Sequence, residues 1–207
     1  MMKKIRSILI ALCIAALFTA GPYQATASQM SAQRIVAEAA TAKSSTAIFK
    51  KMPKKFVFAS GAGGWSTEIT LKNDGSFTGQ FHDSDMGDIG TRYPNGTVYI
   101  CDFSGKFSAA KRLNKYTYSM TLKKIKADKK AGKTYYQNGV RYVTSDPYGF
   151  DNGKNFRIYC PGIKMSKLPS GFVSWMYAFM NTSKTKTLPN YGIYNVKGDM
   201  GFFAWDS

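Results

Sequence analysis

"GGWSTEITLKNDGSFTGQF", residues 63–81, decides the fold, because its period is two. Trp65, Thr67, Ile69 and Leu71 fall on one face, and Ser66, Glu68, Thr70 and Lys72 on the other. A helix would bring apolar residues back every three or four positions. Strict alternation is what a strand with one buried face requires. Asn73, Asp74 and Gly75 supply turn chemistry, and the alternation then resumes with Phe77, Gly79 and Phe81 aligned. The stretch therefore predicts a β-hairpin with one aromatic, core-facing side.

The same period recurs along the chain. "TVYICDF" (97–103) alternates, and "YTYSMTLK" (116–123) aligns Tyr116, Tyr118, Met120 and Leu122. "GVRYVTS" (139–145) follows an Asn138-Gly139 turn, and "NFRIYC" (155–160) aligns Phe156, Ile158 and Cys160. "YGIYNV" (191–196) and "GFFAW" (201–205) add two more strands around Lys197-Gly198. Helical spacing is confined to Ile35, Val36 and Ala39, a short N-terminal helix, and to "GFVSWMYAFM" (171–180), which reads as a short late helix or a strand. Many short strands with regular turn signals predict an all-β protein, a single antiparallel barrel or sandwich. The organisation expected is a signal peptide over 1–27, an N-terminal segment and tether over 28–55, and a β domain over 56–207.

The signal peptide is read from its order. Lys3, Lys4 and Arg6 precede an apolar run from Ser7 to Ala20, and Ala25-Thr26-Ala27 offers a cleavage site before Ser28. The apolar run is short for a permanent span. Cys13 lies inside it, behind Leu12, and is read as a discarded signal residue rather than a lipid attachment point. The predicted localisation is secreted, extracellular or cell-wall associated. Cleavage takes three basic residues and no acid from a chain of formal charge +17, leaving 26 basic and 12 acidic groups over 180 residues. Cys101 and Cys160 remain, either as one disulfide, which export permits, or as two free thiols.

Gly63-Gly64-Trp65 entering a strand, followed by "DGSFTG", resembles the start of calycin barrels, the lipocalins and avidins. That resemblance implies a calycin-like barrel with the tryptophan across its closed end. "SGAGGWSTEITL", "DGSFTGQFHDSDMGD", "YPNGTVYICDFSGKF" and "PYGF" are also similar to a family of uncharacterised exported proteins of low-GC Gram-positive bacteria. That likeness implies export and one domain, and carries no activity.

Chemistry has few places to reside. Asp83, Asp85 and Asp88 crowd one short stretch beside the only histidine, His82. An EF-hand loop starting at Asp83 fails, with Gly87 and Asp88 out of place and Pro94 where the bidentate glutamate belongs. A looser Ca²⁺ site from these three carboxylates is one reading, and an acidic turn that stops a strand is the favoured one. No cofactor is expected. A lone histidine excludes two-histidine zinc motifs, and the alternation turns His82 away from the Phe77/Phe81 face. Ser108–Lys111 and Ser183–Lys186 match S-x-x-K, but no G-x-S-x-G, S-D-N or K-T-G accompanies them. Asp83, Asp85, Asp88 and Asp102 are the acids from which a secreted hydrolase would draw.

Basic charge is concentrated instead. Lys123, Lys124, Lys126, Lys129, Lys130 and Lys133 sit at a strand end and its loop, suited to an anionic wall polymer or membrane surface in a salt-dependent way. Nucleic acid is not an expected partner for an exported protein. Trp65, Phe77, Phe81, Tyr116 and Tyr118 are the candidates to line a ligand cup, and the alternative is that such rings fill the interior. The function expected is non-catalytic binding at or outside the cell envelope, of a small ligand or an anionic polymer. The alternatives are the hydrolase or a Ca²⁺-stabilised structural module.

Overall fold

The structure, a computed structural model, describes residues 44–180 and 185–205. The expected signal peptide, Cys13, Ser183 and the helical spacing at Ile35–Ala39 lie outside the described residues. Twelve strands, two α-helices and a short 3-10 helix at Met165–Lys167 are present in these ranges. The strands are β1 (Ser44–Ser45), β2 (Lys55–Ala59), β3 (Trp65–Leu71), β4 (Ser76–Asp85), β5 (Thr97–Phe107), β6 (Ala110–Arg112), β7 (Thr117–Ala127), β8 (Thr134–Gln137), β9 (Val140–Thr144), β10 (Asn155–Tyr159), β11 (Gly192–Asn195) and β12 (Met200–Ala204). The α-helices are α1 (Ala47–Lys51) and α2 (Ser170–Met180).

Eight of these strands form a closed antiparallel ring in the order β2-β3-β4-β5-β7-β10-β11-β12. Each stave pairs with the next along the chain, and β12 pairs back to β2. This is an up-and-down barrel, not a sandwich. Following paired residues once round the ring returns to β5 displaced by about ten positions, a stagger that tilts the strands by roughly 40°. The other strands decorate the ring. The β8–β9 hairpin turns on Asn138-Gly139, both at positive φ, and β9 runs parallel to β5, the exception to the antiparallel expectation.

The alternation of "WSTEITL" is the alternation of burial. Thr67, Ile69 and Leu71 are buried, while Glu68 and Thr70 are exposed. Register places Ile69 beside Gly79 and Phe103, and Leu71 beside Phe77 and Gly105. The two glycines matter here. A Cβ on Gly79 would run into the Phe103 ring and one on Gly105 into the Phe77 ring, so each leaves the space its neighbour's phenyl occupies. Phe56, Phe58, Phe77, Phe107, Phe156 and Phe202 are fully buried in the same cluster. An eight-stranded barrel is just wide enough for side chains to fill, and here they do.

One core residue comes from a loop. Phe150 lies between β9 and β10, yet is only 6% exposed and packs inside the ring. Its phenyl stacks on Phe77 at 5.3 Å and 13°, and meets Phe202 at 5.1 Å and Phe103 at 5.5 Å. Two buried polar residues hold the loop. Thr67 Oγ1 donates to the Tyr148 carbonyl at 2.9 Å. Asn195 Nδ2 donates to the carbonyls of Gly149 at 3.2 Å and Asp151 at 3.0 Å. Gly149 takes φ +95°, in the left-handed region that favours glycine.

The tether reading requires correction for its last part. Ser44 and Ser45 pair with β6, and α1 buries Ile48 and Phe49 in the main core together with Met52. Lys54 Nζ donates to the Phe49 carbonyl and to Asn73 Oδ1, each at 2.7 Å, tying this segment to the β3–β4 turn. Residues 44–54 therefore pack at the base of the barrel.

The late helix is real. Phe172 and Met176, four apart, are both buried, and Phe172 packs on Tyr159, Tyr194 and Phe203. Those three rings point outward from β10, β11 and β12, so α2 covers a second apolar cluster outside the ring. Among the described residues no helix is long and apolar enough to cross a membrane.

Candidate functional site

The end of the barrel where β3 begins and β4 finishes stays open enough to hold something. Register aligns Trp65 with Asp83 and Asp83 with Tyr99, and the next inward row aligns Thr67, Phe81 and Cys101. The loop that carries Phe150 crosses this end on its way in, bringing Asp146, Tyr148 and Asp151. Together Trp65, Phe81, Asp83, Asp146, Tyr148 and Asp151 line a cavity of about 290 Å³. Below it the phenylalanine interior is closed, so the site is a shallow mouth rather than a deep cup.

Its aromatic walls stand at steep angles to one another. Trp65 and Tyr148 are 5.1 Å apart at 79°, and Phe81 and Tyr148 are 5.9 Å apart at 55°. Behind them Phe58 supports Trp65 at 4.8 Å, and Trp175 of α2 approaches Trp65 at 5.9 Å. Trp175 is itself pinned, its Nε1 donating to the Asp199 carbonyl at 2.8 Å. Edge-to-face packing of this kind fixes ring orientation beyond what area burial alone would do.

The carboxylates set the electrostatics. Burial, followed by the charges of Asp151 and Asp83, pushes the Tyr148 hydroxyl above its usual range. Burial also pushes the Cys101 thiol up to about 11, with Asp146, Asp102 and Asp128 adding to it. Asp151 caps its own loop, accepting from the Gly149 N–H at 3.0 Å.

The sequence-based candidates divide. Trp65 and Phe81 line the mouth, so Trp65 stands at the open end and not, as the calycin resemblance implied, across a closed one. Phe77 lies deep in the filled interior, 2% exposed, and does not reach it. Tyr118 faces inward at the opposite end, level with Ile158 and Ile193. Tyr116 precedes β7, so the strand's alternation does not bind it, and it packs on the outer cluster under α2.

The acidic stretch disperses. Asp83 points into the mouth. Asp85 Oδ1 accepts from the N–H groups of Gly87 at 3.0 Å and Asp88 at 3.1 Å, ending the strand as an acidic turn. Asp88 pairs with Arg141, which also donates to Thr97 Oγ1 at 3.0 Å and stacks over the Tyr93 ring. Asp83, Asp85 and Asp88 thus meet different surroundings: the mouth, the backbone of the turn, and Arg141. Among the described residues no three His, Cys, Asp or Glu side chains gather in a metal-binding group. Asp102 faces out of the barrel wall, accepting from Gln80 Nε2 at 3.1 Å, which separates it from Asp83 and divides the hydrolase set. His82 is exposed beside Ser66.

Cys101 and Cys160 are free thiols. Cys101 sits near the mouth, whereas Cys160 follows Tyr159, whose partner Thr117 starts β7 at the other end. The two are separated by roughly 20 Å along the barrel, against the 4.4–6.8 Å between Cα atoms that a bridge needs. Lys123, Lys124, Lys126, Lys129, Lys130 and Lys133 are all exposed. None of them belongs to either ion pair found among the described residues, and Lys124 stands directly opposite Lys106.

Sequence reasoning missed Asp146, Tyr148 and Asp151. "DPYGFD" (146–151) does carry a signal, aromatic residues bracketed by acids in an otherwise basic chain, but nothing in its spacing says that it enters a barrel. A larger space of about 700 Å³ lies outside the ring over β2–β5, between Trp205 and Asp128. It is lined by Glu68, Thr70, Gln80, Asp102 and Asp128 together with Phe179 and Trp205, on the outer face of the sheet. No family model, curated protein or solved structure matches this chain.

Proposed function

We propose that the protein is a non-catalytic binding protein that takes a small ligand in the aromatic, acidic mouth of its barrel, at or outside the cell envelope. The observation that carries this reading is the cavity bounded by Trp65, Phe81 and Tyr148 above a packed interior. It is small for a ligand pocket, and it combines apolar walls with a few convergent polar groups, the usual composition of such sites. The extracellular setting rests on the signal-like start of the chain. Titration of the folded protein with a hydrophobic fluorescent probe should saturate at one equivalent. Tyr148→Ala should weaken binding about tenfold, the loss expected from removing one stacking wall. Non-saturating binding, or binding indifferent to Tyr148, would sink the reading.

The exposed, unpaired lysines support a second mode, contact with an anionic wall polymer or lipid surface through residues 123–133. Charge reversal at Lys123, Lys124, Lys129 and Lys130 should then abolish wall retention, and retention of the native chain should fall steeply with added salt. Retention unchanged by both would refute it.

A further inference from the structure

We infer that the ligand of this mouth is an organic cation carrying an ammonium group, held between the rings of Trp65, Phe81 and Tyr148 and the carboxylates of Asp83, Asp146 and Asp151. The inference deepens the small-ligand reading and rests on it. Basic residues outnumber acidic ones 29 to 12 in this chain, yet the mouth gathers three acids and its lining includes no lysine or arginine. Among the described residues, the two ion pairs involve Asp74 and Asp88, so none of the three mouth carboxylates is neutralised by a side chain. Asp146 and Asp151 are exposed and Asp83 is half-buried, so together they give this end a negative potential that a cation would offset.

The walls suit such a guest. Trp65 and Tyr148 meet edge to face and Phe81 is tilted by 55° to Tyr148, so the three rings are not coplanar around the mouth, and the negative face of an aromatic ring attracts a cation. Ammonium groups bearing alkyl carbon gain from both the rings and the carboxylates. A bare metal ion would need converging oxygens, and these do not form a metal-binding group. An anion would meet three like charges. Burial is the main reason the Cys101 thiol and the Tyr148 phenol are raised, and the nearby carboxylates add to both shifts.

The test compares choline with 3,3-dimethyl-1-butanol, which has nearly the same shape without the charge, by calorimetric titration of the full chain. A hydrophobic fluorescent probe is titrated in parallel. Choline should bind saturably and at least about tenfold more tightly than its uncharged counterpart, given the strength of a partly desolvated cation–ring contact. Asp83→Asn with Asp146→Asn should remove most of that preference while leaving the near-ultraviolet circular dichroism unchanged. Asp151 is left intact because its carboxylate caps the loop. Equal binding of the two alcohols, or binding of the probe alone, overturns the charge inference and leaves the mouth as a neutral site. Binding of none of the three overturns both.

Discussion

Phe150→Ala is the perturbation that tests the architecture most directly. The phenyl ring is nearly enclosed and lies among Phe77, Phe202, Phe103, Phe156 at 5.8 Å and Phe107 at 6.5 Å. Those neighbours come from four different staves, so the barrel wall cannot collapse locally into the space left behind. Truncating a buried phenylalanine in such a setting costs about 3–5 kcal/mol, the lost transfer energy plus a cavity term. Domains of this size have only about 5–15 kcal/mol in total. A melting temperature lower by about 10 °C follows, at about 2–4 °C per kcal/mol for this length. Urea denaturation followed by near-ultraviolet circular dichroism would measure the free energy, and Phe150→Leu should lose about 1–2 kcal/mol on the same scale. The void is apolar and dry, so benzene should restore part of the loss. A cost below about 1 kcal/mol, with no effect of benzene, would show that residues 145–154 lie on the surface and that the interior is filled some other way.

Asn195→Ala should cost about 3 kcal/mol, because two buried carbonyls and the Gly198 N–H lose their partner together. Tyr148 should then become more accessible to quenchers. Cys101 should resist alkylation at pH 8 and react rapidly only near pH 11, since its thiol is held protonated there. Equal labelling of Cys101 in native and unfolded protein at pH 8 would refute its placement. The same raised thiol, together with the raised phenols of Tyr148, Tyr159, Tyr191 and Tyr194, makes stability pH-dependent on the alkaline side. These groups ionise more readily in the unfolded chain, which therefore binds fewer protons once pH exceeds about 9. Stability is fully present below that point and should fall as pH rises from 9 to 11. A flat melting curve across that range would contradict it.

Local alternation made the staves legible. Thr67, Ile69, Leu71, Phe77 and Phe81 all face where period two puts them, and Asn138-Gly139 turns where turn chemistry says it must. Alternation alone left barrel and sandwich open, because pairing Phe203 with Val57 depends on the twist of every stave between them, and the barrel came from the calycin resemblance. Phe150 and Tyr148 were hidden for a different reason. A loop residue has no periodicity, and what makes these two internal is shape and hydrogen bonding supplied by Thr67 and Asn195. Tyr116 failed where alternation was extended one residue past the end of a strand. In the acidic stretch the favoured reading, a turn that stops the strand, describes Asp85, whereas alternation sends Asp83 inward and the turn sends Asp88 to Arg141.

The seam between β2 and β12 is narrow, two register pairs reinforced by the Trp205 N–H donating to the Lys55 carbonyl at 3.1 Å. It joins the first stave to the last. During folding, β2 and β11 keep open edges until residues 200–204 arrive, and such edges invite pairing with other chains. The loop that carries Phe150 must also be inside before the seam zips. Assembly is thus ordered, with a long-range step at the end, and slow refolding on the scale of milliseconds to seconds is its kinetic signature. Over that interval the unpaired edges of the nascent barrel leave it exposed to aggregation.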